Sequence, residues 1–348
     1  MTAHSSTLAE HGYHRLRIKE VVQETPDAST FVLDVPPPLA STFRYRPGQF
    51  CTFRFRIDGD EVVRSYSMSS APETDANLAV TVKRVQGGLV SNWMLNHLIA
   101  GDEVELTKPA GVFCPQEHVG PALGFCGGSG ITPFMSISKH LLATTGRPVR
   151  LLYANRESSS VIFNDALVAL GTHHSERLEV QHHFDVDRGF LTSNDIADFL
   201  GDQSDADCYV CGPGPFMDIV ESTLHELGVP ANRIFIERFL VEQQEKDVTV
   251  VSGAQLPDEV TVTLGGKTVV VAYQPGDTLL ETARRGGLRP PFSCTAGNCA
   301  TCMAFLRVGA VTMRANTALT PEEVEEGWIL TCQSLPTGPT IVVEYEDL

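Results

Sequence analysis

The chain has 348 residues, a 42% hydrophobic share and a formal charge of −17, long enough for two or three domains of a globular protein. The acidic balance disfavours nucleic acid as a partner, and no segment approaches the apolar length of a membrane span. The start MTAHSSTLAEHGYHRL has neither the basic lead nor the apolar core of a signal peptide, and nine cysteines give no even disulfide framework once four are set aside as below. A reducing, cytoplasmic setting is therefore expected.

Residues 13–118 carry short alternating or apolar runs, RLRIKEVVQE, STFVLDV, QFCTFRFRI and LAVTVKRV. Turn signals separate them at Pro36 to Pro38, Pro47-Gly48 and Asp58-Gly59. This pattern predicts an antiparallel β-barrel. The tetrapeptide Arg64-Ser65-Tyr66-Ser67 ends one strand. Its arginine can clamp a pyrophosphate, its aromatic ring can lie against a flat heterocycle, and a hydroxyl can bond a ring nitrogen, which together suit a flavin dinucleotide. Val80, Thr81, Val82 and Lys83 form a second strand able to line the ring. Gly87, Gly88, Leu89, Val90 and Ser91 open the helical run SNWMLNHL, whose first amides can receive phosphate.

From 119 to 240 apolar strands alternate with helical stretches: PALGFCGG, PFMSISKHLLATT, VRLLYANR, NDALVAL, LEVQHHF, DCYVCGP and PFMDIVESTLHELG. The alternation predicts an α/β domain with a parallel sheet and crossover helices. Cys126-Gly127-Gly128-Ser129-Gly130-Ile131-Thr132-Pro133 is a glycine-rich turn that can bring amides to a dinucleotide pyrophosphate, with Gly128, Gly130 and Thr132 as contacts. It is not the Gly-x-Gly-x-x-Gly fingerprint. Arg156 can meet ribose or phosphate. Glu157 beside it can accept from a free 2′-hydroxyl and would repel a 2′-phosphate, which favours NADH over NADPH. Cys211, Gly212 and Pro213 end a later strand at the carboxyl edge where ligands bind. The pairs His173-His174 and His182-His183 fit no tight ligand set and read as surface imidazoles.

Residues 241–257, VEQQEKDVTVVSGAQLP, read as a linker. In 258–348 a hairpin is expected to turn at Gly265-Gly266, a helix to start at the Thr278 to Glu281 capping box, and another at Thr320-Pro321-Glu322. This segment has 11 acidic and 6 basic side chains, a charge suited to solubility or to docking on a basic patch. Cys294, Cys299, Cys302 and Cys332 follow the spacing Cys-x4-Cys-x2-Cys-x29-Cys, which suits a plant-type 2Fe-2S cluster. Structural zinc, a disulfide pair and buried thiols compete with that reading. Zinc sites usually pair two short Cys-x2-Cys knuckles, and only one exists here.

In this order RSYS, GSGITP, CGPGPFM and the cysteine loop resemble the ferredoxin-NADP reductase superfamily fused to a C-terminal plant-type ferredoxin, over nearly the whole chain. AVTVKR, SNW, LLYANR, PFSC and GWILTCQS resemble more narrowly the reductase components of 3-ketosteroid 9α-hydroxylases, and the phenylacetyl-CoA oxygenase reductases share the domain order. The resemblance implies a multidomain fold: an antiparallel β-barrel flavin domain, an α/β parallel-sheet nucleotide domain and an α+β β-grasp ferredoxin domain. It also implies that Arg64, Tyr66 and Ser67 bind FAD and that Ser67 bonds flavin N5. Thr132 would sit near flavin and nicotinamide, Cys211 would position the nicotinamide by contact, and Phe239 would shield the flavin face. NADH would reduce FAD, the 2Fe-2S cluster would take the electrons one at a time, and a Rieske-type terminal oxygenase would receive them. A redox sensor that binds nucleotide without turnover is the alternative from another class.

Overall fold

A computed structural model of the protein describes residues 13–239, 256–292, 297, 300–316 and 318–345, which divide into two compact units after Phe239. The first unit opens with β1 (Tyr13–Thr25), β2 (Ala28–Asp34), β3 (Phe50–Ile57), β4 (Asp60–Ser67), β5 (Leu78–Lys83) and β6 (Glu103–Thr107), in the order β4-β3-β6-β1-β2-β5. All pairs are antiparallel, and a bridge from Met68 to Val80 joins the two outer strands into a barrel. Period-two alternation drives this closure: in β1, Leu16 and Ile18 are buried while Arg15, Arg17 and Lys19 face water. Helix α1 (Leu89–His97) adds Val90 and Met94 to the barrel core, which holds Phe31, Phe53 and Leu106.

Five parallel strands follow in the same unit: β7 (Ala122–Gly127), β8 (Val149–Asn155), β9 (Leu178–Phe184), β10 (Asp207–Cys211) and β11 (Ile234–Glu237), in the order β11-β10-β7-β8-β9. One face packs on α2 (Ile131–Thr144) and α3 (Asn164–His173), the other on α5 (Ser193–Leu200) and α6 (Gly214–Glu226), with the short α4 (Asp185–Arg188) directly after β9. Strands buried on both faces read as apolar runs, as ALGFCG and DCYVC do. Gly124 lets α2 lie close to the sheet, because a Cβ there would sit 2.2 Å from the Phe134 ring. The strand order reverses between β7 and β10, which places the ligand crevice at their carboxyl ends.

The linking segment between barrel and sheet is held by one arginine. Arg147, buried at 4% exposure, donates to the carbonyls of Gln116, Gly120 and Pro121 and pairs with Asp207 at 2.7 Å. Arg233 completes the neutralisation of Asp207 at 2.9 Å.

The second unit is a small α+β domain. β12 (Glu259–Leu264), β13 (Lys267–Ala272), β14 (Met303–Val308), β16 (Trp328–Leu330) and β18 (Ile341–Glu344) form a sheet in the order β13-β12-β18-β14-β16, and β15 (Val311–Met313) pairs with β17 (Ser334–Pro336). Helix α7 (Leu279–Arg285) lies on the sheet through Leu279 and Ala283, the β-grasp arrangement, and α8 (Pro321–Glu326) precedes β16. The hairpin turns at Gly265 and Gly266, both with positive φ, as a two-residue turn requires. Thr278 accepts from the Glu281 amide at 3.2 Å while Glu281 accepts from the Thr278 amide at 2.7 Å, and Thr320 and Glu323 repeat the device. Most of the expected linker, and Cys294 and Cys299, lie outside the described residues.

Candidate functional site

β4 delivers Arg64 to Ser67 at the open end of the barrel. Ser65 is tied to Thr52 by a 2.8 Å hydroxyl bond, Tyr66 meets Phe53 edge to face, and Arg64 donates to its neighbour's carbonyl, so the strand holds its three polar side chains in place. Ser67 differs. Its hydroxyl is buried, with the residue 3% exposed, and it has no hydrogen-bond partner among the described residues. A buried unsatisfied hydroxyl costs about 1–3 kcal/mol, which a flavin ring atom would offset. At the start of α1, an added Cβ on Gly88 would sit 2.9 Å from the Val85 side chain and 3.0 Å from the Ser91 hydroxyl, so glycine lets the preceding turn close tightly on the helix start, where a phosphate could be received. Ser91 accepts from the Val85 amide, Val90 fills the core, and Leu89 is exposed. These features fit FAD.

β5 divides its roles by face. Val80 and Val82 point into the barrel core, while Thr81 joins Thr30 at 2.7 Å and Ser69 at 2.8 Å in a buried hydroxyl chain. Lys83 leaves the barrel altogether: a Cβ built on Gly128 would lie 3.1 Å from its ammonium. Burial lowers the Lys83 pKa, and the nearby Arg156 guanidinium lowers it further. Two cations thus share the edge where the glycine turn sits, an arrangement that favours a bound polyanion.

The glycine turn and the end of β10 meet there. A Cβ on Gly130 would fall 2.0 Å from the Cys211 carbonyl, and one on Gly212 would fall 3.0 Å from the Gly127 amide nitrogen. Only glycines allow two turns to close on each other in this way, and they leave a cradle of main chain for a pyrophosphate. Thr132, buried in the first turn of α2, donates to the Ser129 carbonyl. Cys211 pairs in register with Cys126 on one side and Glu237 on the other. Burial pushes its thiol well above the ordinary range, and the Glu237 carboxylate adds to the rise. Cys211 is therefore held toward the neutral thiol, the form that packs as a small apolar group. Phe239 packs on the same apolar layer, and Pro213 caps α6. These residues fit the pyrophosphate and nicotinamide parts of NADH.

Two residues at this edge escape sequence reasoning, Asp185 and Phe190. Val186 donates to the Arg156 carbonyl at 3.1 Å, so the turn after β9 lies on Arg156 and brings Asp185 and Phe190 with it. Phe190 is 84% exposed, an unusual place for a large ring. Its signal was the aromatic after Gly189, whose φ is positive. Glu237, 5% exposed, belongs to the Glu237-Arg238-Phe239 run that resembles the end of the reductase module, and the strand register sets it beside Cys211. One expectation is corrected: His183 is not a surface imidazole. Alternation along β9 turns it to the sheet's inner side, where it is 1% exposed and its Nε2 lies 2.8 Å from the Gly189 carbonyl, which makes that nitrogen a donor.

In the second unit Cys302 and Cys332, thirty residues apart in sequence, are buried in one small apolar group with Leu280, Leu319 and Leu330. Gly297 has a φ of +80°, and a Cβ on it would fall 2.6 Å from the Ala315 carbonyl; Ala300 also takes a positive φ. A side chain at 297 is therefore excluded, and bare main chain lies against Ala315 there. Phe292 packs on the same group, with Arg284 above its ring. The described half of the ligand set fits a 2Fe-2S cluster.

The chain matches three family models: an oxidoreductase FAD-binding domain over residues 15–114, an oxidoreductase NAD-binding domain over 125–222, and a 2Fe-2S iron-sulfur cluster binding domain over 262–337. It is 39% identical to the ferredoxin reductase component of 3-ketosteroid-9-alpha-monooxygenase from Mycobacterium tuberculosis, over 95% of this chain and 96% of that protein. It is also 33% identical to one of the subunits of 1,2-phenylacetyl-CoA epoxidase from Escherichia coli, over 96% and 98%. Among solved structures, phthalate dioxygenase reductase superposes with a TM-score of 0.63 at 24% identity, covering 98% of this chain and all of that one. FAD, NADH and a 2Fe-2S cluster are thus its redox groups, and an oxygenase is its partner. With all three modules in one polypeptide and this degree of identity along its length, the chain belongs to the family of the ferredoxin reductase components of oxygenases.

Proposed function

We propose that this protein oxidises NADH in the cytoplasm and supplies the electrons to a Rieske-type oxygenase that hydroxylates a 3-ketosteroid. It would work through modules at 13–118, 119–240 and 258–348, with a linker at 241–257. The observation that carries the reading is the closure of the turn at Gly127 to Gly130 on Cys211-Gly212, with Lys83 beside it, in the same unit as the unpartnered Ser67 hydroxyl. The chemistry that bound FAD would supply is conversion of a two-electron hydride donor into the single-electron steps that a 2Fe-2S cluster accepts.

The chain's own residues do the rest by placement. Arg64 and the first amides of α1 hold flavin phosphates, Tyr66 and Thr81 border the ring, and Ser67 offers its hydroxyl to a ring nitrogen. Gly128 and Gly130 hold the NADH pyrophosphate, and Lys83 serves that nucleotide and not the flavin ring. Thr132 and Cys211 wall the nicotinamide, with the neutral thiol excluding water. Arg156, Glu157, Asp185 and Phe190 face the adenosine half, where the two carboxylates disfavour a 2′-phosphate and so select NADH. Cys294, Cys299, Cys302 and Cys332 ligate the cluster.

The steroid assignment is supported by higher identity to the steroid monooxygenase reductases, 36 to 39%, than to the epoxidase protein, 33%. A coupled assay with purified 3-ketosteroid and phenylacetyl-CoA oxygenases, each nucleotide in turn, tests it. Hydroxylated steroid with NADH is expected; turnover confined to the phenylacetyl-CoA system, or faster with NADPH, overturns the reading.

A further inference from the structure

Below the cysteine pair of the second unit runs a buried hydrogen-bond chain that the reaction described so far does not use. The Tyr345 phenol, directly after β18, donates to Thr331 Oγ1 at 2.9 Å; Thr331 Oγ1 donates to the Cys302 carbonyl at 2.9 Å; and the Thr331 amide donates to that same carbonyl at 3.2 Å. The Leu280 amide, from the first turn of α7, donates to the Thr331 carbonyl at 3.0 Å. Thr331 is fully buried and Tyr345 is 3% exposed. Thr331 immediately precedes Cys332. One residue, through side chain and main chain, therefore ties together the loop that carries Cys302, the strand end that carries Cys332, the helix that covers them and the last strand of the sheet.

We infer that Thr331 and Tyr345 are positioning residues for the cluster, acting through the Cys302 main chain to set its reduction potential. Their hydroxyl hydrogens point in series toward the Cys302 carbonyl, so both dipoles draw electron density from the main chain of that residue. A 2Fe-2S centre becomes more negative when it gains an electron, and such dipoles stabilise that state in a site from which water is excluded. Two donors on one carbonyl also polarise the peptide unit that follows Cys302. Tyr345 matters because a threonine hydroxyl donates more strongly when its own oxygen accepts a bond. A phenylalanine at 345 keeps the ring and the packing and removes only that polarisation. A valine at 331 keeps the shape and removes the relay, while a serine keeps the relay and trims a methyl group.

The inference rests on Cys302 and Cys332 being cluster ligands, and the experiment separates the two. Full-length wild type, Y345F, T331V and T331S are loaded with FAD and cluster, and the cluster midpoint is followed by electron paramagnetic resonance in a redox titration. The expected result is a more negative midpoint in Y345F, a larger displacement in T331V with altered g-values, and a midpoint near wild type in T331S. Loss of cluster absorbance to a chelator should be about ten-fold faster in T331V. Unchanged midpoints and g-values in Y345F and T331V, with lowered urea stability, would reduce the chain to packing and overturn the inference. Should T331V not fold, Y345F decides on the same criterion. A wild-type protein without a 2Fe-2S signal overturns the ligand reading itself, and the inference with it.

Discussion

A single oxygen atom in the barrel offers the sharpest test of the flavin reading. Ser67 is buried without a partner, so S67A should behave oppositely in the empty and the loaded protein. Without FAD the alanine relieves an unsatisfied hydroxyl and should raise stability by about 1 kcal/mol; with FAD it loses a bond and should slow flavin reduction by roughly ten-fold. Thermal melts of both forms and stopped-flow mixing with NADH check the two signs. Asp207 gives the contrasting case. It is 1% exposed between the buried Arg147 and the half-buried Arg233, and D207N would leave both without their counter-charge. Urea unfolding should report a loss of about 3–5 kcal/mol. Short motifs announced Ser67 because its neighbours in sequence are also its neighbours in the site. Asp207 and its two arginines lie 26 to 60 residues apart, so nothing local marks them.

Elements follow the same division. Strand alternation, the two-residue hairpin turn and the capping boxes depend on residues a few positions apart, and each was legible: Thr278 caps α7 through Glu281 as its spacing implied. T278A should therefore cost the second unit about 1 kcal/mol, seen as an earlier urea transition with unchanged slope. The orientation of a strand's end was not legible. Lys83 continues a strand that lines the barrel, yet its ammonium reaches the glycine turn of the parallel sheet, because the barrel's last residues face the neighbouring module. His183 is the same lesson in β9: a paired histidine reads as polar surface until the sheet gives one of the two an inner face.

The whole molecule is a series circuit, and its halves are separable by where a lesion falls. In full-length C332S the residues that hold NADH and FAD are untouched, so NADH-dependent reduction of ferricyanide should persist while cytochrome c reduction falls at least ten-fold. Equal loss of both activities would mean that the cluster is not the exit. The order of the three modules was readable because each carries its own short signature, RSYS, GSGITP and the cysteine spacing. Their relation within the first unit was not, since it depends on contacts with no sequence pattern, such as Lys139 with Asp75 at 3.0 Å and Arg147 with the carbonyls around Gly120. That arginine lies between α2 and β8 but fastens the segment leaving the barrel, and its counter-ion is the first residue of β10. For anyone building chimaeras the consequence is direct. A foreign nucleotide domain grafted after residue 121 would bring no guanidinium for the carbonyls of Gln116 and Gly120, so barrel and sheet must be exchanged together, or the donor chosen for an arginine at this place.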